Sequence, residues 1–229
     1  MPAVNIFDTL RARVESSDGI PPQQRRAINW FHNYHSELTK WQSTNNRQTF
    51  QQVSNNNFAK RLVPPRLSFP GYLYFFMYKP LAATTLPVYD RFPLVLVLER
   101  FDNGFLGLNL HYLPYRSRAI FFDALYSTRF IAAKDPLRAR INVTYKILKS
   151  VSKYKAFHPC IHRYHHKGVQ TPLLQVGETE WDLALFLPVE RFAKMQRSDV
   201  WNRSLRSLND GAERAFVDDL ASNDSKEFE

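Results

Sequence analysis

The residues best suited to chemistry lie in one short run, His158-Pro-Cys160-Ile-His162-Arg-Tyr-His165-His166. Imidazole and thiolate are good zinc ligands, and His162 stands three and four residues from His165 and His166. A structural zinc site also needs a fourth committed ligand and a closed shell, and this spacing matches no standard finger. A Cys160–His pair is the other chemical reading, with the thiol as nucleophile and an imidazole as base. A packed or surface histidine cluster inside a basic stretch explains the run without either. The second candidate is Glu178-x-Glu180-x-Asp182, the one dense set of carboxylates outside the C-terminal tail. A metal-dependent nuclease needs clustered acids, but acids at the first turn of a structural element account for these more simply. The sequence has no Gly-rich phosphate loop, no Gly-x-Ser-x-Gly elbow and no His-Glu-x-x-His. No catalytic residue, cofactor or metal is assigned, and the chain reads as a binding protein, not an enzyme.

The charge pattern says what such a protein would bind. The 229 residues carry a formal charge of +10. Residues 209–229 hold seven acids against two bases, so the preceding 208 residues carry +15. Within these, 116–167 has twelve bases and two acids, Asp123 and Asp135. Such a band favours a polyanion or an acidic protein surface. Arg116, Arg118, Arg138, Arg140, Lys146, Lys149 and Lys153 are the candidate phosphate contacts. The tyrosines and phenylalanines between them are expected in the core more than as stacking platforms for bases.

The remaining composition narrows the class. Cys160 is the only cysteine, so no intramolecular disulfide forms, which fits synthesis in a reducing cytosol. Met1-Pro2-Ala3-Val4 does not open a signal peptide, and the apolar run Phe92–Leu98 is too short to span a bilayer. The expectation is a soluble protein without a membrane partner.

Three regions are expected to position these residues. Residues 1–70 read as an attachment region. There Ile28, Phe31, Tyr34, Leu38 and Trp41 recur on one helical face after Pro21-Pro22, followed by an amide-rich loop or arm over 42–57. Residues 71–208 read as an α+β core. Tyr72–Tyr78, Phe92–Phe101 and Phe105–Leu110 are strands, and Leu86–Asp90 is a connecting turn. Asp102-Asn103-Gly104 marks a hairpin, because Asn-Gly supplies positive φ, and Gly107 permits a bulge or close packing. These strands make a small antiparallel sheet or an SH3-like open barrel, framed by several helices. Helices are expected over Tyr115–Ser127, after Asp135-Pro136, from Pro188 to Met195, and after Ser198-Asp199. Thr171–Val176 reads as a further strand, and 157–166 has no clear pattern. Residues 209–229 are an acidic tail expected to be disordered.

Several long, irregular motifs carry a resemblance. They are Gly71-Tyr-Leu-Tyr-Phe-Phe-Met-Tyr-Lys-Pro80, Leu86-Pro-Val-Tyr-Asp-Arg-Phe-Pro-Leu94, Gly104-Phe-Leu-Gly-Leu-Asn-Leu-His-Tyr-Leu-Pro114 and Glu180-Trp-Asp-Leu-Ala-Leu-Phe-Leu-Pro-Val-Glu190. With Arg25-Arg26-Ala27-Ile28-Asn29-Trp30-Phe31, they resemble the DNA end protector proteins of T4-like tailed phages, including cyanophages, over roughly residues 25–205. The resemblance implies a virion component, assembled in the host bacterial cytoplasm, that binds the ends of packaged genomic DNA. It would shield them from host exonuclease and help complete the head. The aromatic, proline and glycine residues that define the motifs suit a core more than a DNA-contact surface. A structural role in the phage tail or baseplate therefore stands as the alternative. There the basic band would meet neighbouring structural proteins, and Trp30, Phe31, Tyr34 and Trp41 would dock an N-terminal assembly arm.

Overall fold

The computed structural model describes residues 25–30, 32–33, 36, 60–115, 117–119, 121, 155–177, 180–185 and 190–207. In chain order the strands are β1 (Leu62–Val63), β2 (Leu73–Phe75), β3 (Tyr89–Asp90), β4 (Leu94–Phe101), β5 (Gly104–Asn109), β6 (Ile161–His165), β7 (Leu173–Val176) and β8 (Phe192–Ala193). Six of them form one open antiparallel sheet in the order β1-β7-β2-β4-β5-β6, and β3 pairs with β8 in a second, two-stranded sheet. Helices occupy 25–36 in part, 115–121 in part, Trp181–Leu185 and Arg197–Ser207. The class is α+β, and the sheet does not close into a barrel. No helix among the described residues is long and apolar enough to cross a membrane.

The aromatic motif builds the core by strand alternation. Successive side chains of an extended chain point to opposite faces. Tyr74, Phe76 and Tyr78 thus share one cluster with Val95, Val97, Phe105, Tyr164 and Leu173. Phe76 meets Tyr164 edge-on at 5.3 Å and Phe105 at 5.7 Å. Phe75 faces the other way, stacks on Phe92 at 5.3 Å and lies 5.9 Å from His111. Each fully buried ring or branched chain contributes about 1.5–3 kcal/mol by leaving water, so burial on both faces makes β2 and β4 the spine of the fold.

The Asp102–Asn103 hairpin forms where expected, but for a different reason. Neither Asn103 nor Gly104 has positive φ. Gly104 is required because a Cβ there would overlap the Tyr164 carbonyl oxygen on β6. Gly107 is in close packing, its missing Cβ leaving room for Val95, and the register shift falls on the facing strand between Val97 and Glu99.

Three expectations are corrected. The run after Pro188 contains β8 instead of a helix to Met195, because its backbone pairs with Tyr89–Asp90 a hundred residues earlier. For the same reason Tyr89–Asp90 is a strand, where the sequence predicts a turn. The patternless segment holds β6, which adds to β5 through five residue pairs from Gly104↔His165 to Leu108↔Ile161. The helix expected after Asp135-Pro136 lies outside the described residues.

Candidate functional site

Two acid–base dipeptides, Asp90-Arg91 and Glu190-Arg191, occupy neighbouring extended segments. Tyr78 N–H donates to the Arg91 carbonyl at 2.9 Å, and Arg91 N–H donates to the Arg191 carbonyl at 2.9 Å. Lys79 N–H donates to Gly168 at 2.9 Å. The segments bearing Lys79, Arg91 and Arg191 are thereby fixed side by side, with Gly168 flanking the first, and alternation sends each acid inward and each following arginine outward.

The inward acids meet buried partners. Asp90 is 3% exposed; its Oδ1 accepts from Phe92 N–H at 3.0 Å, and its Oδ2 faces His111 Nδ1 at 2.6 Å and Asn109 Nδ2 at 3.2 Å. Burial alone would raise this carboxyl, but His111 and the Phe92 and Asn109 donors outweigh it and hold Asp90 below the usual range. An ionised carboxylate only accepts hydrogen bonds, so His111 Nδ1 carries the proton. His111 is aimed by a local device: the Asn109 side chain caps the Leu110–Tyr112 turn by accepting from His111 N–H at 3.0 Å.

Glu190 meets Arg118. The two side chains are fully buried and ion-paired, and Arg118 also donates to the carbonyls of Leu113 at 2.8 Å and His111 at 3.3 Å. Burial would raise the Glu190 carboxyl; Arg118 and then His111 overturn this and lower it. The Arg118 guanidinium lies over the rings of Tyr115 at 4.9 Å and Trp201 at 5.6 Å. Trp201 Nε1 donates to the His111 carbonyl at 2.8 Å. Asp90, His111, Arg118 and Glu190 thus form one buried polar network.

The outward cations are left free. Lys79, Arg91 and Arg191 are exposed and line a cleft of about 360 Å³ with Met77, Tyr78, Tyr89, Phe92 and Gln170. No carboxylate lines it, and none of the three cations has a side-chain partner among the described residues. The exposed carboxylates among the described residues are Glu99, Asp102 and Asp199, and exposed Lys and Arg far outnumber them. A larger cleft of about 690 Å³ lies alongside, lined mainly by apolar groups and rings, with Asp90 in its wall.

The residues singled out in the sequence fall in different places. Arg118, expected on a phosphate-binding surface, is 0% exposed and neutralises Glu190 inside the protein; its charge is spent there. Arg116, Arg138, Arg140, Lys146, Lys149 and Lys153 lie outside the described residues, as do Phe31, Tyr34 and Trp41. Trp30 packs on Phe75 at 6.3 Å and donates to Glu180 at 2.9 Å. Glu180 also binds Arg61 and accepts from Gly177 N–H at 3.1 Å, so this acid fastens the first described helix to the sheet. Glu178 and the Asp182 side chain are not among the described positions.

The histidine run is drawn out along a turn and β6. Cys160 is fully buried, and burial pushes its thiol up to about 12, far from a nucleophilic thiolate. His162 is half-buried as a residue, its Nε2 is buried without a partner, and burial pushes the group down to about 4. Among the described residues no three His, Cys, Asp or Glu are grouped to hold a metal ion. Lys79, Arg91 and Arg191 were not singled out by sequence, since two of them follow an acid that cancels their charge on paper.

No curated protein and no solved structure matches the chain significantly. The sequence profile described as phage T4 terminal DNA protecting protein matches residues 8–204, bringing the N-terminal helix, the sheet and the cation cleft under one match. The chain belongs to the phage T4 terminal DNA protecting protein family.

Proposed function

We propose that this protein binds the ends of packaged phage DNA and shields them by occupancy, without making or breaking covalent bonds. The observation that carries the reading is the sorting of charge at Asp90-Arg91 and Glu190-Arg191. Both acids are consumed by buried partners, and the arginines stand outside unopposed. A protein of this family with free outward cations is equipped to meet phosphates. In the same reading it is a virion component, assembled in the host cytoplasm, that helps complete the head beside other phage structural proteins. In this reading the N-terminal region through residue 70 is an attachment segment whose last part, β1, joins the core sheet, 71–208 is the rest of the core, and 209–229 is an acidic tail.

The test is binding of the full chain to blunt linear DNA and to a closed circle of equal length, across a salt series, with exonuclease digestion of the linear form alongside. End protection predicts tighter binding to the linear form, affinity falling steeply with salt, and slower digestion. Equal, salt-insensitive binding with unchanged digestion would overturn it in favour of a structural subunit of the tail or baseplate.

A further inference from the structure

We infer that the cleft formed by Lys79, Arg91 and Arg191 seats the terminal phosphate monoester of a DNA strand. The inference rests on the end-binding reading and adds what part of the end is recognised. Charge is the first argument. A phosphodiester within a strand carries one negative charge, whereas a terminal monoester carries close to two at neutral pH. Three free cations around one small cleft, with no carboxylate among the described residues of its lining, favour the more highly charged group. The 690 Å³ cleft alongside also holds Arg163 and Arg203, but its lining is mainly apolar and includes the Asp90 carboxylate, and Arg163 already donates to Asn103, so it is the poorer seat for a small dianion.

Preorganisation is the second argument. The hydrogen bonds Tyr78 to Arg91, Arg91 to Arg191 and Lys79 to Gly168 hold the three backbones in register before any ligand arrives. Ordering these segments therefore costs little at binding. Two guanidinium forks suit the oxygens of a phosphate, and the lysine adds a mobile point charge.

Size and lining are the third. About 360 Å³ is near the small end of ligand pockets, roughly 300–1,000 Å³. That suits the last nucleotide of a strand and not a duplex passing through. Half-buried Tyr89 and Met77 supply an apolar wall for the attached sugar or base. The described titratable groups facing the phosphate are Lys79, Arg91, Arg191, Tyr78 and Tyr89; among the described residues no histidine or carboxylate lines the cleft. The pH dependence of binding is then set by the ligand. The second ionisation of a phosphate monoester lies near pH 6, and cations lower it in the bound state. Affinity for a phosphorylated end is full above about pH 6 and declines as pH falls through it.

The experiment compares the full chain on linear duplexes whose ends carry 5′-phosphate, 3′-phosphate or hydroxyl only, with a closed circle as reference. Wild type should bind one class of phosphorylated end roughly tenfold or more tighter than hydroxyl ends. Arg91→Gln with Arg191→Gln should remove that preference while leaving the melting temperature unchanged. The two phosphate positions tell which strand terminus is read. A deoxynucleoside monophosphate should compete where the nucleoside does not. Linear preferred over circular, with no phosphate preference, would overturn the inference and leave end binding standing. A phosphate preference that survives the double variant would overturn the assignment to this cleft. No preference for linear DNA in wild type would remove the reading beneath both.

Discussion

Arginine does opposite work in two regions that meet at the Asp90-Arg91 and Glu190-Arg191 segments. Arg118 is buried with Glu190 inside a network that also holds Asp90 and His111, while Arg91 and Arg191 stand exposed on the other side of the same short strands. In the first region the guanidinium satisfies a buried carboxylate and two backbone carbonyls, so its charge is invisible from outside. In the second the side chains touch no partner among the described residues, and their whole charge is presented to solvent. The difference teaches that the local balance of Lys, Arg, Asp and Glu misstates the surface field. Asp90-Arg91 and Glu190-Arg191 are neutral as dipeptides and cationic as surfaces.

Removing Arg118 is the strongest way to break this contrast. Arg118→Ala leaves Glu190 buried with only the half-exposed Arg197 beside it, at 3.4 Å, and losing the buried partner costs up to about 3–5 kcal/mol. Replacing both members by methionine should recover most of the loss, since no charge is then stranded. Urea unfolding of the three proteins measures it. A stable Arg118→Ala protein that has lost only DNA affinity would put Arg118 back on a phosphate surface. Next in size is Gly104→Ala, where the new Cβ runs into backbone and not into a movable side chain. About 1–3 kcal/mol is expected, as for other overpacked sites, and the same substitution at exposed Asn103 should cost far less.

Acid separates the buried network from the outward cations without mutation. Asp90 and Glu190 have lowered pKa values in the folded protein, so the unfolded chain takes up their protons first. Their contribution is complete above the ordinary carboxylate range and is lost as pH falls below about 4. His162, pushed down to about 4, acts in a higher window. The unfolded imidazole protonates from about pH 6.5 downward while the folded one stays neutral, so stability declines from about 6.5 toward 4. His162→Phe should shrink that upper window, leaving the share of His166, whose imidazole is also lowered by burial and by Arg66 and Arg100, and leave the lower window intact, with Asp90→Asn acting on the lower. Melting temperatures against pH check both. An unchanged upper slope in His162→Phe would mean that this ring is solvated in the fold.

Much of the frame was legible in the sequence because it rests on local pattern. The apolar runs predict β2, β4, β5 and β7, the turn residues place the Asp102–Asn103 hairpin, and Ser198-Asp199 marks the start of a helix seen over Arg197–Ser207. The alternating rings of Tyr74 to Tyr78 were rightly assigned to the core. The misses have one physical source. A two-residue strand such as β3 or β8 carries no periodicity, and its identity comes from a partner about a hundred residues away. In β6 only Tyr164 is fully buried, so histidines and Arg163 mask the strand. Arg118 looked like a surface cation because its counterion is 72 residues distant. The cation cleft was hidden for the same reason: sorting acids from bases requires knowing which face each residue takes. With β3 and β8 as strands and their pairing carried one bond further by Arg91 N–H to the Arg191 carbonyl, the inward acid and outward arginine of each dipeptide follow from alternation.

The smallest expected effect on stability is the most informative about the surface. Arg91→Ala with Arg191→Ala removes two exposed side chains that hold nothing else in place, so unfolding free energy should move by less than about 0.5 kcal/mol. Their backbone hydrogen bonds persist, because those belong to N–H and C=O groups that alanine retains. If these two cations meet phosphates as proposed, removing them should nevertheless lower the slope of log affinity against log salt by roughly two. The methionine pair at Arg118 and Glu190 is the matched control, since it also removes an arginine but one with no outward field. If both pairs change the salt slope alike, buried and exposed arginines are not partitioned as described. If only the exposed pair does, and at constant stability, DNA affinity is carried by charges that folding exposes by hiding their acidic neighbours.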